Sequence, residues 1–163
     1  MQNTNFGYRD AREKEYEETV VQINRISKKT KGGNQIRFSA LVVVGDRKGK
    51  VGAGLAKAPD VVSAIQKAIT YAKKHLIAVP MKGTTIPYQI TVKVGAARIL
   101  LKPAPIGSGI IAGGAVRSVL EAAGVRDVVA KMLGTNNKAS NVYCVLEALR
   151  QLSEIEKIKN GEK

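Results

Sequence analysis

The chain has 163 residues, 44% hydrophobic and 4% aromatic, with a formal net charge of +14. That length makes one ordinary domain or two small ones, and the apolar fraction suffices for a core. No apolar run approaches the roughly 18 residues of a membrane-spanning helix, and the opening MQNTNFGYRD reads as neither secretory signal nor transit peptide.

Residues 1–17 mix charges with few apolar side chains and read as a flexible arm. Val21 and Ile23 alternate with Gln22 and Asn24, which predicts a half-buried strand over Glu18–Ile26. Ser27–Asn34 reads as a basic turn around adjacent Gly32 and Gly33. Arg37–Val44 predicts a second strand, whose run Leu41-Val42-Val43-Val44 suits a buried sheet position. Gly45–Gly49 turns the chain into a glycine-rich third strand, Lys50–Leu55. Connections this short favour an antiparallel meander. A helix then starts at Asp60 or Pro59, with Val61 or Val62, Ile65, Ala68, Ile69, Ala72 and Leu76 on its apolar face. His75, the only histidine, stands at the basic end of that helix with no nucleophile or orienting acid beside it.

The segment from Val79 to Pro87, two prolines and a glycine around polar residues, is the best domain boundary. It separates residues 18–80 from residues 84–152, and predicts two separately folding pieces. Tyr88–Val94 and Ala97–Leu101 read as a hairpin, stopped by Pro103 and Pro105, which cannot donate to a ladder. The glycine-rich Gly107–Gly114 loop leads to a helix over Ala112–Ala123, closed by Gly124. Asp127–Leu133 predicts a strand and Ala139–Leu152 a helix, with Val142, Val145, Leu146, Leu149 and Leu152 on one side. Residues 153–163 form a charged tail.

Charge is distributed unevenly. Thr19 to Leu146 holds twenty Lys and Arg against Asp46, Asp60, Glu121 and Asp127, about +16. Such a surface repels itself unless an anion neutralises it, and a polyphosphate does so while releasing counterions. The densest basic cluster is Arg25, Lys28, Lys29 and Lys31 around Gly32 and Gly33, where glycine permits close backbone approach. Arg47, Lys48, Lys50 and Lys57 extend it. Aromatic pairs of the kind that stack bases on a sheet are absent, so double-stranded RNA read through backbone and 2′-hydroxyls is the better match. No helix is basic and polar enough to read DNA sequence.

Catalysis has little support. Asp46 and Asp60 read as turn and cap residues, and there is no metal-ligand spacing. Cys144, the single cysteine, reads as a core residue on a helix. The sharpest rival is Gly107-Ser108-Gly109 followed by Ala112, with Asp127 twenty residues beyond Gly107, which nearly imitates a dinucleotide fingerprint. Pro103 and Pro105 interrupt the tight strand-to-helix turn that fingerprint needs. Close packing of backbone on backbone, or on RNA, is the alternative.

Two long motifs carry a family resemblance. The first is Phe38–Asp46, then Gly49, Val51-Gly52, Gly54, Lys57-Ala58 and Ala64–Ala68. The second is Gly107–Arg117, Leu120-Glu121, Ala123–Val125, Asp127-Val128 and Lys131. In order and spacing they resemble the bacterial small-subunit ribosomal protein five family, over about residues 17–152. Pro59–Val62 departs from the family pattern, which leaves the helix start open by a few residues. Gly134–Asn137 also departs, lacking the Ser that often follows the glycine.

The resemblance implies an α+β protein of two small domains. The first would be a double-stranded-RNA-binding-like three-stranded antiparallel sheet plus helix, the second an α/β domain with a left-handed βαβ crossover. It implies a non-enzymatic constituent of the small subunit that binds its ribosomal RNA, supports assembly and decoding accuracy, and lies near the path by which messenger RNA enters. Small-subunit ribosomal proteins four and eight would be neighbours, and Ser27–Gly33 would lie near the spectinomycin site. Arg25, Lys28, Lys29, Lys31, Gly32, Gly33, Arg47, Lys48, Lys50 and Lys57 are the expected RNA contacts. Gly107, Ser108, Gly109, Gly113, Gly114 and Arg117 are the expected domain or protein interface. No cofactor, metal, membrane or homo-oligomer is expected, and the expected location is cytoplasmic. A free-standing RNA chaperone and a nucleotide-binding enzyme are the competing classes.

Overall fold

The structure, a computed structural model, describes residues 16–159 and 161. The arm expected over residues 1–17 lies almost wholly outside them. The first sheet contains β1 (Glu17–Thr30), β2 (Gly33–Gly45), β3 (Lys50–Ala58) and β4 (Ile77–Ala78), in that order and all antiparallel. The predicted meander holds, with a fourth strand added. Two-residue β4 carries no periodicity of its own and exists only through its pairing with Lys50 and Val51.

Helix α1 (Val61–Lys74) starts where Asp60 accepts a hydrogen bond from Val62 N at 3.1 Å. Its deepest stripe contains Ala68 and Ala72 of the predicted face, together with Ala64, which the sequence reading left out. Ala64, Ala68 and Ala72 are buried, Ile65 and Ile69 are half-buried, and Val62 is 60% exposed. The cause lies in β3. A Cβ on Gly54 would stand 2.1 Å from the Ala68 carbonyl oxygen, and one on Gly52 2.6 Å from that of Ala72. Glycine in the strand and alanine in the helix let two backbones approach, so the small residues take the interface.

The run Leu41–Val44 is buried because both sheet faces are covered. Ala40, Val42 and Val44 pack on α1, while Leu41 and Val43 pack on the second half of the chain. That half contains β5 (Ile90–Val94), β6 (Ala97–Pro103), β7 (Ile110–Ile111), α2 (Gly114–Ala123), β8 (Val128–Met132) and α3 (Lys138–Lys159). Its sheet order is β5-β6-β8-β7, with β7 parallel to β8 and the other pairs antiparallel. The β7–α2–β8 unit is a parallel crossover. Gly124, at φ 89°, ends α2 as predicted.

Helix α3 does not stop at Leu152. No glycine or proline interrupts Ser153–Lys159, and Lys159 Nζ sits 3.8 Å above the Tyr88 ring, which ties the last turn down. Most of the expected charged tail is therefore helix. Cys144 is buried between the Val92 and Ala97 carbonyls, as a core cysteine should be, and burial raises its thiol pKa.

One hydrophobic cluster crosses the domain division. Leu41, Val43, Val51 and Ala53 join Ile86, Ile99, Leu101, Leu120, Leu149 and Leu152. A fragment ending at Pro80 would bare that face of the first sheet. We expect such a fragment to bind a hydrophobic dye and to unfold at lower denaturant than the whole chain. Equal midpoints would show that the shared face adds nothing.

Candidate nucleic-acid interface

The basic segment Ser27–Asn34 is less of a turn than its composition suggests. The β1–β2 ladder continues to Thr30 opposite Gly33, leaving only Lys31 and Gly32 at the tip. Thr30 Oγ1 donates to the Gly33 carbonyl at 2.7 Å, and Gly33 has φ 126°. Gly32 faces open space, with nothing within 4 Å of an added Cβ.

A bulge in β1 decides which cations meet. Val20 pairs with Val42, but Gln22 pairs with Leu41, so one extra residue is accommodated at Val21. Beyond it, Gln22, Asn24, Ile26 and Lys28 share a face with Leu41, Ser39, Arg37 and Gln35. Without the bulge Lys28 would point to the α1 side, because a one-residue slip flips every side chain. On β3, Lys57 aligns with Ser39 and so joins the same face. The result is a groove lined by Ile26, Ser27, Lys28, Gln35, Arg37 and Lys57. Among the described residues, no carboxylate pairs with Lys28, Arg37 or Lys57.

The expected RNA contacts therefore divide. Lys28 and Lys57 line the groove, Lys31 and Gly32 form the tip, and Arg25 and Lys29 lie on the opposite face beside Phe38 and Asn34. Arg37 belongs to the groove and was absent from the sequence-based set. Its signal was available: it precedes Ser39 and Leu41 at strand spacing, so it shares their face.

Arg47, Lys48 and Lys50 sit elsewhere, at the joint between domains. The Arg47 guanidinium is held by both carboxylate oxygens of Glu17. Asp46 Oδ1 accepts from Lys48 N at 2.7 Å and Lys50 N at 2.9 Å, as a turn residue should. Arg47 N and Gly49 N, each at 3.0 Å, donate to the Ala122 and Ala123 carbonyls, which the end of α2 would leave unpaired. A Cβ on Gly45 or Gly124 would stand 2.1 Å from a backbone oxygen across this joint.

The Gly107–Gly114 loop has its own anion. Asp127 Oδ1 accepts from Gly107 N and Gly109 N, both at 3.0 Å, and those glycines have φ 90° and 70°. The carboxylate fills the amide nest that a dinucleotide phosphate would need, which explains the near-fingerprint and removes the nucleotide reading. The neighbouring Thr84 hydroxyl, which completes no close hydrogen bond of its own, and then the Gly109 amide hold the Asp127 carboxyl below its usual range. Gly113 packs against Met132, Ser108 is exposed, and Arg117 pairs with Glu121 at 2.7 Å.

A depressed folded-state pKa stabilises above the unfolded value of about 3.9 and is lost as pH falls through the folded one. We expect Asp127→Asn to lower the unfolding midpoint at neutral pH and to flatten its decline in acid. Parent and variant curves that stay parallel from pH 7 to pH 2 would contradict the latch.

Among the described residues, no group of three or more His, Cys, Asp or Glu is placed to hold a metal ion, and no helix is long and apolar enough to cross a membrane. Two family models match the chain in order. Residues 16–80 match "Ribosomal protein S5, N-terminal domain", and residues 92–162 match "Ribosomal protein S5, C-terminal domain". The first match contains the hairpin and its groove, and the second contains the Asp127-latched loop. The chain belongs to the ribosomal protein S5 family, whose members are structural, ribosomal-RNA-binding components of the small subunit and not enzymes.

Proposed function

We propose that the first-domain groove and hairpin tip are where this chain holds small-subunit ribosomal RNA. The carrying observation is the convergence of Lys28, Arg37 and Lys57 on one sheet face, with no carboxylate partner among the described residues. Each phosphate neutralised there releases counterions, and a basic groove suits the shape and 2′-hydroxyls of A-form RNA. Lys31 and Gly32 extend the contact at the tip, and Arg25 and Lys29 take phosphates on the other side.

From this position the protein supports subunit assembly and decoding accuracy, beside the path by which messenger RNA enters and near the spectinomycin site. The second domain turns towards small-subunit ribosomal proteins four and eight. Gly107, Ser108, Gly109, Gly113, Gly114 and Arg117 make up that side. The latched turn before it holds Ile106 89% exposed, as a fixed apolar contact for a neighbouring protein. The protein works in the cytoplasm, in the small ribosomal subunit, without forming a homo-oligomer.

Gly32→Asp tests the tip. It adds a negative charge in open space without a positive-φ penalty, whereas any side chain at Gly33 would also be strained. We expect Gly32→Asp protein to fold normally while cells relying on it accumulate fewer complete small subunits and change their spectinomycin response. Lys28→Ala should be milder. Normal assembly and drug response with Gly32→Asp would reduce the tip to a solvated hairpin.

A further inference from the structure

The chain is poor in aromatic residues, with five Tyr, two Phe and no Trp. Two aromatic rings nevertheless stack outside the groove. On α1, Tyr71 and His75 stack with ring centroids 4.2 Å apart and planes 25° apart. His75 Nδ1 lies 2.9 Å from the Tyr71 carbonyl, which fixes the imidazole. Helical spacing puts exposed Lys67 and Lys74 on the same face, four residues before Tyr71 and three after it. From the far side of the first sheet, α3 brings Tyr143 towards Tyr71 and the Leu55 backbone, and burial and the Tyr71 phenol raise its pKa. Among the described residues, β3 pairs with no strand on this side beyond Lys50 and Val51.

These rings are not core residues. Tyr71 is 47% exposed and Tyr143 36%, while the alanines supply the buried stripe of α1. The surroundings are cationic. No acid occurs between Val61 and Leu120, and Glu18 and Glu147 are taken by Lys73 and Arg150. Exposed stacked rings between cations match the chemistry of a single-stranded nucleic acid, in which bases offer π-faces and phosphates offer charge.

We propose that the Tyr71–His75 stack is a platform for an unpaired base of RNA, with Lys67 and Lys74 taking flanking phosphates. About 10 Å of helix axis separates those lysines, enough to bracket one stacked nucleotide. The platform rests on the RNA-binding reading above, but it lies on the α1 side of the sheet, away from the groove. It would let one small domain hold a helical segment on one face and a looped-out base on the other.

The test uses the full chain with three probes: a short RNA duplex, a single-stranded oligoadenylate, and an abasic oligomer of equal length and charge. Tyrosine emission, free of tryptophan, and anisotropy report binding. The parent should prefer oligoadenylate over the abasic oligomer by about tenfold, the scale of one base–aromatic stack. Tyr71→Leu should abolish that preference while leaving duplex affinity unchanged, and Tyr71→Phe should keep it. Lys67→Ala with Lys74→Ala should weaken both single strands alike. Duplex binding without any base preference in the parent would overturn the platform alone. Loss of duplex binding in the parent would overturn the RNA reading as well. A Tyr71→Leu protein that keeps its base preference, loses duplex affinity in parallel, or instead loses a small-subunit protein partner would also overturn the platform.

Discussion

Gly54→Val is expected to be the most damaging single substitution in the first domain. The new Cβ would meet the Ala68 carbonyl oxygen at 2.1 Å, its carbon at 2.9 Å and Ala72 N at 3.2 Å. All three are backbone atoms of α1, so no side chain can swing aside. The helix must lift from the sheet, and the contacts of Ala64, Ala68 and Ala72 with Val42 and Val44 loosen together. Overpacking of this kind costs about 3 kcal/mol. For a chain of this size that lowers the thermal midpoint by roughly 10 °C. Gly32→Ala is the matched control, because its Cβ meets nothing within 4 Å. Calorimetry that finds the two variants equally stable would refute the close approach of β3 and α1.

The largest functional effect is expected from removing the groove's charge. Lys28, Arg37 and Lys57 stand on exposed strand positions, so replacing all three with Ala leaves both hydrophobic clusters intact. Affinity for a structured small-subunit ribosomal RNA fragment should fall on the order of a hundredfold at low salt. Arg117→Ala is the comparison, since that guanidinium already faces Glu121 at 2.7 Å. It should change binding of naked RNA little. A logarithmic loss from the triple change no more than three times that from Arg117→Ala would mean that net charge alone, without the groove, governs binding.

Much of this architecture was legible in the sequence wherever a local pattern determined it. The hairpin over Tyr88–Leu101 follows from alternation, the start of α1 from Asp60, and the end of α2 from Gly124. What escaped depends on partners distant in sequence. Strands β4 and β7 have two residues each and are defined by what they pair with. The alanine stripe of α1 is buried because glycines in another element make room, so Ala68 and Ala72 were placed on the apolar face but Ala64 was missed and Ile65 and Ile69 lie less deep than expected.

The candidate site shows the same limit. The basic residues around the tip were visible as composition, but their division between two faces was not. That division hangs on the bulge near Val21, which exchanges one register for another without any glycine or proline to mark it. Arg37 was overlooked although its spacing from Ser39 and Leu41 on β2 placed it, and Arg47, expected among the RNA contacts, is engaged by Glu17 and, through its backbone, by the end of α2. Asp127 was noticed for its distance from Gly107, and the structure turns that spacing into a latch on the loop's own amides.

The salt dependence of RNA binding decides whether RNA lies in this groove. Binding of the parent and of the Lys28, Arg37 and Lys57 triple alanine variant to the same ribosomal RNA fragment should be measured from low to moderate ionic strength. If each cation neutralises one phosphate, the parent's logarithmic slope should be steep, and the variant's shallower by about 3. Parallel lines with the same slope would show that RNA does not lie in this groove, and the interface would have to be sought on another face of the protein.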